Sequence, residues 1–443
     1  MVALIATVIL SLWPPPANAV AQAGAPNILI ILTDDQPAQP ETYRVMRETM
    51  RLFRARGTRF ANAVATTPLC CPSRASIFSG RYAHNHGVRD NDSATAFDPT
   101  KSIQAKLNAN GYQTALAGKY LNLITADPPF FDHWATFADG RGGFQNEAFN
   151  VDGDIIPTAQ YSTTFIRDMA LSFLDGFEES DEAPWFLEVA PFAPHLPATP
   201  EARYADAPVP RWKMNPARAE RDLSDKPSFI RDLASTDPGR TKRFRATQLR
   251  SLMSVDDLVE AVFARLREQG EARDTLAIFM SDNGFFWYEH RLAYGKYLPY
   301  DEAVKIPFFV RWPGHISEST VDRRIVANID VAPTIYEAVG IEPDYVVDGR
   351  SIFSSSRSVM FLEFLFNPRL PQFPKWHSLW TPDSTYIRYY ESERKPREHY
   401  AAEDPWQLKN TYRDGIPNNK PAGQTELDGL LQQYATCEGS ACP

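Results

Sequence analysis

Only four of the 443 residues are cysteines, and two of them, Cys70 and Cys71, open the stretch CCPSRASIFSGR that ends at Arg81. Pro72 suits the first turn of a helix, where its missing N–H costs nothing, and Gly80 suits the residue that closes one. Cys70 therefore falls at a helix N-terminus. Free amide groups and the positive end of the helix dipole favour an anion there, and Arg74 adds a fixed charge one turn inward. Two carboxylates, Asp34 and Asp35, follow the apolar run NILIILT at 27–33, and Asp282 and Asn283 follow TLAIFM at 275–280. Oxygen donors without sulfur or imidazole suit a hard cation, Ca²⁺ or Mg²⁺. Asp34 and Asp35 by themselves read first as a helix N-cap. The second pair turns the reading toward a metal.

The run Cys70-Cys71-Pro72-Ser73-Arg74 resembles the signature of the type I sulfatases, in which a Cys followed two places later by Pro and then by Ser-Arg is oxidised to formylglycine. The resemblance implies that Cys70, not Cys71, is modified and that a formylglycine-generating enzyme is a maturation partner. It also implies covalent catalysis: one hydroxyl of the hydrated aldehyde attacks sulfur and the other later expels sulfate. Asp34, Asp35, Asp282 and Asn283, with the modified Cys70, are then the implied ligands of Ca²⁺ or Mg²⁺, which lowers the pKa of the attacking hydroxyl. The segment GYQTALAGKYLN at 111–122 resembles the second sulfatase signature and supplies Lys119, while Lys296 matches the family's other sulfate-contacting lysine. Together with Arg74 they would offset the negative charge of the transition state. His195, in Pro194-His195-Leu196-Pro197, matches the histidine that protonates the leaving oxygen, and His290 is a further substrate-binding candidate.

Two places after Lys119 stands Leu121, where arylsulfatases carry a histidine, so the base of the elimination step has no assigned residue. Lys119-Tyr120-Leu121-Asn122, the double cysteine and Tyr82-Ala83-His84-Asn85-His86 look more like glucosamine-6-sulfatases and the heparan sulfate endosulfatases, with His84 and His86 lining the substrate mouth. The resemblance covers residues 26–350, and more loosely the run EDPWQL at 403–408. It implies an alkaline-phosphatase-like α/β fold and hydrolysis of sulfate monoesters on a sulfated sugar or glycosaminoglycan. Two rivals stand beside it: a phosphonate monoester or phosphodiester hydrolase using the same nucleophile, and a glycan-binding protein in which Cys70 stays a thiol.

The elements that must position these residues are legible as periods. NILIILT is the pattern of a strand buried on both faces, and WFLEVA at 185–190 and TLAIFM repeat it, each closed by polar residues in a loop. Between them lie helical spacings, such as Phe165, Met169, Ala170 and Phe173, or Leu252, Val255, Leu258, Val259 and Val262. Strand, helix, strand predicts a mainly parallel α/β sheet, whose ligands bind beyond the carboxyl ends of the strands. IPFFVR at 306–311 predicts another strand, and 329–339 a helix with a proline near its start. Past residue 348 the texture changes: 358–364 and 385–390 predict strands of a separate antiparallel sheet and 426–434 a closing helix. The expected division is a catalytic domain at 26–348 and a smaller α+β subdomain at 349–443.

A net charge of -9 argues against nucleic acid as a partner, because neutralising a phosphate backbone takes clustered Lys and Arg. Met1 to Trp13 is apolar and leads to Ala17-Asn18-Ala19, the form of a signal peptide at 1–19, although no Lys or Arg precedes it; an uncleaved anchor is the alternative. The run is short for a bilayer span, and no stable membrane partner is expected. Cys437 and Cys442 fit a disulfide pinning the chain end in an oxidising, extracytoplasmic compartment.

Overall fold

The computed structural model describes residues 24–179, 183–235, 237–293, 295–354, 356–365, 367–390, 396–412 and 423–443. The expected signal peptide lies outside the described residues.

Fourteen strands are described. The first ten are β1 (Asn27–Thr33), β2 (Thr58–Val64), β3 (Gln113–Gly118), β4 (His133–Phe137), β5 (Ala148–Val151), β6 (Asp154–Pro157), β7 (Trp185–Ala190), β8 (Thr275–Ser281), β9 (Phe308–Arg311) and β10 (Thr320–Ala327). They form one sheet in the order β10-β2-β9-β8-β1-β7-β3-β4-β5-β6. The centre is parallel: β1 pairs in parallel with β7 and β8, and β3 with β7 and β4. The predicted strand at 306–311 is β9, and it runs antiparallel to both of its neighbours, β8 and β2.

Continuous apolar runs form the centre because both faces are covered. Ile28, Ile30 and Leu32 pack with Cys71, Ala75 and Phe78 of the helix Cys70–Ser79 and with Val331 and Ile335 of the helix Val331–Val339. Leu29 and Ile31 pack on the other face with Leu252, Val255 and Val259 of the long helix Pro238–Gln269, and with Ile166 and Phe173 of Ser162–Glu178. Each fully buried side chain of this size contributes about 1.5–3 kcal/mol. The predicted helix at 329–339 is split: a 3₁₀ turn, Asn328–Asp330, leads into Val331–Val339.

The last four strands, β11 (Met360–Phe364), β12 (Trp376–Trp380), β13 (Thr385–Tyr389) and β14 (Arg397–Tyr400), form the expected antiparallel sheet, with the helix Gln424–Tyr434 following. Phe361, Trp376 and Tyr389 share a core with Val64, Leu69 and Tyr82, so this sheet packs beside the entry to the Cys70–Ser79 helix. Cys437 and Cys442 are bonded to each other.

Candidate active site

β1, β3, β7 and β8 run the same way, so the residues that follow them gather at one edge: Asp34 and Asp35, Lys119, His195, and Asp282 and Asn283. The turn after β1 is tight. Asp35 has φ 65°, in the left-handed region, and its N–H donates to Asp282 Oδ1 at 3.0 Å, tying the two turns together. The Cys70–Ser79 helix starts at this edge and ends at Gly80, whose N–H donates to the Ser76 carbonyl and whose φ of 69° turns the chain out of the helix. Its first turn lacks a side-chain cap from Leu69; the Cys71 N–H donates instead to Asn91 Oδ1 at 3.0 Å.

Cys70 is fully buried, with its sulfur 3.3 Å from Asp34 Oδ1 and 2.7 Å from Lys296 Nζ. Arg74 donates through Nε to Asp282 Oδ2 at 3.0 Å and through Nη1 to the Lys119 carbonyl at 2.8 Å, and its Nη2 lies 3.6 Å from Asp34 Oδ2. Lys119 pairs with Asp34 at 2.5 Å. Lys296 pairs with Asp35 and lies 3.3 Å from Asn283 Oδ1, while Asn283 Nδ2 donates to Asp35 Oδ1 at 2.7 Å. Three buried carboxylates thus meet three buried cations, and breaking one such pair costs about 3–5 kcal/mol.

The electrostatics follow from this enclosure. Burial would raise Asp34, but the charges of Lys119, His195, Arg74 and Lys296 outweigh it and hold the carboxyl well below the usual range. Burial raises Asp282, and the neighbouring Asp34 adds to the effect. Burial pushes the Cys70 thiol well above its ordinary value, with Asp34 working in the same direction. Burial would lower Lys296, yet Asp35 and Cys70 hold its ammonium well above the ordinary range. An unmodified Cys70 in this setting is a poor thiolate nucleophile.

His195 is the most open of these groups, its side chain 27% exposed. Its Nδ1 lies 2.7 Å from the Leu196 carbonyl, which assigns a proton to that nitrogen and aims Nε2 at Asp35 Oδ2, 3.6 Å away. The Phe192 ring, 4.6 Å from the imidazole, limits its swing.

The other histidines are placed differently from expectation. His86 is not at a substrate mouth: it is buried, with one ring nitrogen 3.0 Å from Ser76 Oγ and the other receiving the Val88 N–H, and burial lowers it to about 3. His84 spends both nitrogens on Glu363 and the Cys437 carbonyl. His290 is fully buried, 2.7 Å from Glu220, with its ring tilted against that of Tyr300, so its imidazole is committed to partners inside the fold. Their motif positions carried no information on burial. Conversely, Asn91 and Asn328 belong to no motif, yet both support the start of the Cys70–Ser79 helix. Asn328 donates to Ser73 Oγ and accepts from Thr66 N–H, bracing the helix start; single asparagines outside any motif give no sequence signal.

A family model described as Sulfatase matches residues 26–341, well over half of the chain. The chain belongs to the sulfatase family. A second model, described as N-sulphoglucosamine sulphohydrolase, C-terminal, matches residues 287–427. The putative extracellular sulfatase Sulf-1 homolog of Caenorhabditis elegans is 31% identical over 347 residues, 74% of this chain and 48% of that protein. Human N-acetylglucosamine-6-sulfatase is 30% identical over 355 residues, 74% of this chain and 63% of that protein. The chain thus spans between about half and under two thirds of the length of these two curated relatives. Among solved structures, one described as a complex with its substrate D-glucosamine-2-N,6-O-disulfate superposes with a TM-score of 0.82 at 22% identity, covering 92% of this chain and 97% of that one. The alkaline-phosphatase-like fold expected from sequence is the fold found.

Proposed function

We propose that this sulfatase hydrolyses sulfate monoesters on a sulfated glucosamine-type sugar, with residues 26–348 as the catalytic unit and Cys70 as the residue converted to formylglycine. The observation that carries the reading is the position of Cys70: at a helix N-terminus, at the point where Asp34 and Lys296 meet, inside a balanced set of buried charges. Formylglycine there would add water across its aldehyde and so supply the hydroxyl that attacks sulfur.

Asp34, Asp35, Asp282 and Asn283 suit Ca²⁺ or Mg²⁺. Asp34, Asp35, Cys70 and His195 each offer a ligand atom within 4.8 Å of one another, and the Lys296 ammonium stands where Asp35 and Asn283 oxygens converge, marking a place built for positive charge. The ion polarises a sulfate oxygen when bound. Arg74, Lys119 and Lys296 carry the charge that spreads over the sulfate oxygens during transfer, in a site that excludes water. Arg74 also donates to the Lys119 backbone carbonyl, which ties the positions of the two cations together. His195, open on one side and restrained by Phe192, delivers a proton to the departing sugar oxygen.

The signal-like segment and the terminal disulfide support an extracytoplasmic site of action. Among the described residues no helix is long and apolar enough to cross a membrane. A formylglycine-generating enzyme is the maturation partner this reading requires.

The test joins peptide mass spectrometry over residues 60–81 to sulfate release from N-acetylglucosamine 6-sulfate, with an aryl phosphonate ester in parallel. Conversion of Cys70 with sulfate release is the expected result. An unconverted Cys70 in active protein, or faster turnover of the phosphonate, overturns the reading.

A further inference from the structure

Glu188 lies in β7, which is enclosed by β1 on one edge and β3 on the other. Strand alternation puts it on the face of Phe186 and Ala190, the face covered by Cys71, Ala75 and Phe78 of the Cys70–Ser79 helix. It is 0% exposed, and neither carboxyl oxygen has a hydrogen-bond partner among the described residues. Its partners in register, Ile30 and Leu116, are apolar. The titratable groups facing this space are Arg74 and Cys71 from the helix and Tyr120 from the segment after β3. Arg74 Nη2 is likewise without a hydrogen bond, although Nε and Nη1 are committed.

A lone carboxylate in such a place is costly, and the usual escape is to keep the proton. Burial pushes Glu188 up to about 8, with Arg74 pulling the other way. This sets the group against Asp282 and Asp34, which already hold the same guanidinium from the catalytic side.

We propose that Glu188 is a positioning residue for Arg74: uncharged, it leaves the guanidinium to Asp282 and Asp34, and ionised, it competes with them for it and slows sulfate transfer. The proposal rests on the sulfate-ester reading above. It makes the alkaline limit of the enzyme a property of a side chain that substrate never touches.

The experiment measures kcat and KM separately for the matured enzyme on N-acetylglucosamine 6-sulfate from about pH 6 to about pH 10, where a single ionisation is resolved. It compares wild type, Glu188→Gln and Glu188→Met, after thermal melts have established that each is folded. The infrared carbonyl band of a protonated carboxylic acid is followed in the wild-type minus Glu188→Gln difference spectrum over the same range. Wild-type kcat is expected to fall about tenfold per pH unit above the midpoint, with the limb missing from both variants and the acid band fading over the same interval. An alkaline limb in kcat that persists in the variants, or no acid band at neutral pH, overturns the proposal. Absence of sulfate release from every form overturns the hydrolase reading instead, and the infrared band still reports whether Glu188 is uncharged.

Discussion

Lys296 holds its ammonium 2.7 Å from the sulfur of Cys70 across 226 residues of sequence. The contact exists because Cys70 opens the helix at the sheet edge, while Lys296 comes from the loop between β8 and β9. It puts a fixed positive charge beside the sulfur of Cys70, whereas Cys71 packs in the apolar core, so the two cysteines of the motif are unequal.

Cys70→Ala is expected to abolish sulfate release, whereas Cys71→Ala retains most of it. Cys71 packs in the apolar core against the central strands, with burial raising its thiol to about 12, and losing its sulfur costs about 1 kcal/mol of stability. Sulfate release and melting temperature of the two variants check this. An active Cys70→Ala enzyme would place the modified residue elsewhere.

Exhaustive chelation should lower turnover by orders of magnitude and also the melting temperature. An ion bound only by the folded state stabilises it by about 2.7 kcal/mol when present at a hundred times its Kd. Calorimetric titration of Ca²⁺ and Mg²⁺ into the chelated protein and into Asp282→Ala gives a readout independent of activity. Equal binding by both proteins would remove Asp282 from the ligand set.

His195→Ala is expected to slow esters of sugar alcohols about 10²–10⁴-fold and esters of nitrophenol far less, because an alkoxide leaves only with a proton and a nitrophenolate leaves without one. Comparing kcat/KM for both substrates decides the matter. Equal losses would make the residue a sulfate or fold contact.

Gly118→Ala should be among the most damaging single changes outside the charged cluster. Gly118 has φ 116°, and an added Cβ would lie 2.1 Å from the Ala190 carbonyl oxygen on the paired strand. The loss is expected to exceed about 3 kcal/mol. It would also displace Lys119, the next residue. A denaturant midpoint close to that of wild type would refute the steric argument.

The buried His290 contributes a pH-dependent term. Burial and Lys226 lower its pKa, but Glu220 and Glu302 more than offset them, so the folded value is raised above the unfolded one. The contribution is therefore complete below the unfolded value, about 6.5, and is lost as pH rises through the folded value. Melting temperatures of wild type and His290→Gln across that range should converge as pH increases. A gap that widens with pH would reverse the sign.

The sequence alone determined the family and the local frames of the candidate site. The run from Cys70 to Gly80 names its own helix, because proline and glycine act on the backbone they occupy. NILIILT, WFLEVA and TLAIFM name their strands, because a strand covered on both faces has no polar side. From these it follows that Asp34, Asp35, His195, Asp282 and Asn283 come after strands that run in parallel at the centre of one sheet. What only the tertiary structure decided is which polar groups are open and which are spent. His86 and His290 carry the same chemistry as His195, yet Ser76 and Glu220 consume them, and those partners come from other segments. Glu188 is an ordinary letter in an apolar run until β1, β3 and the Cys70–Ser79 helix enclose it. The reversed direction of β9 is equally silent in sequence, since alternation and apolar content are the same for either polarity of a buried strand.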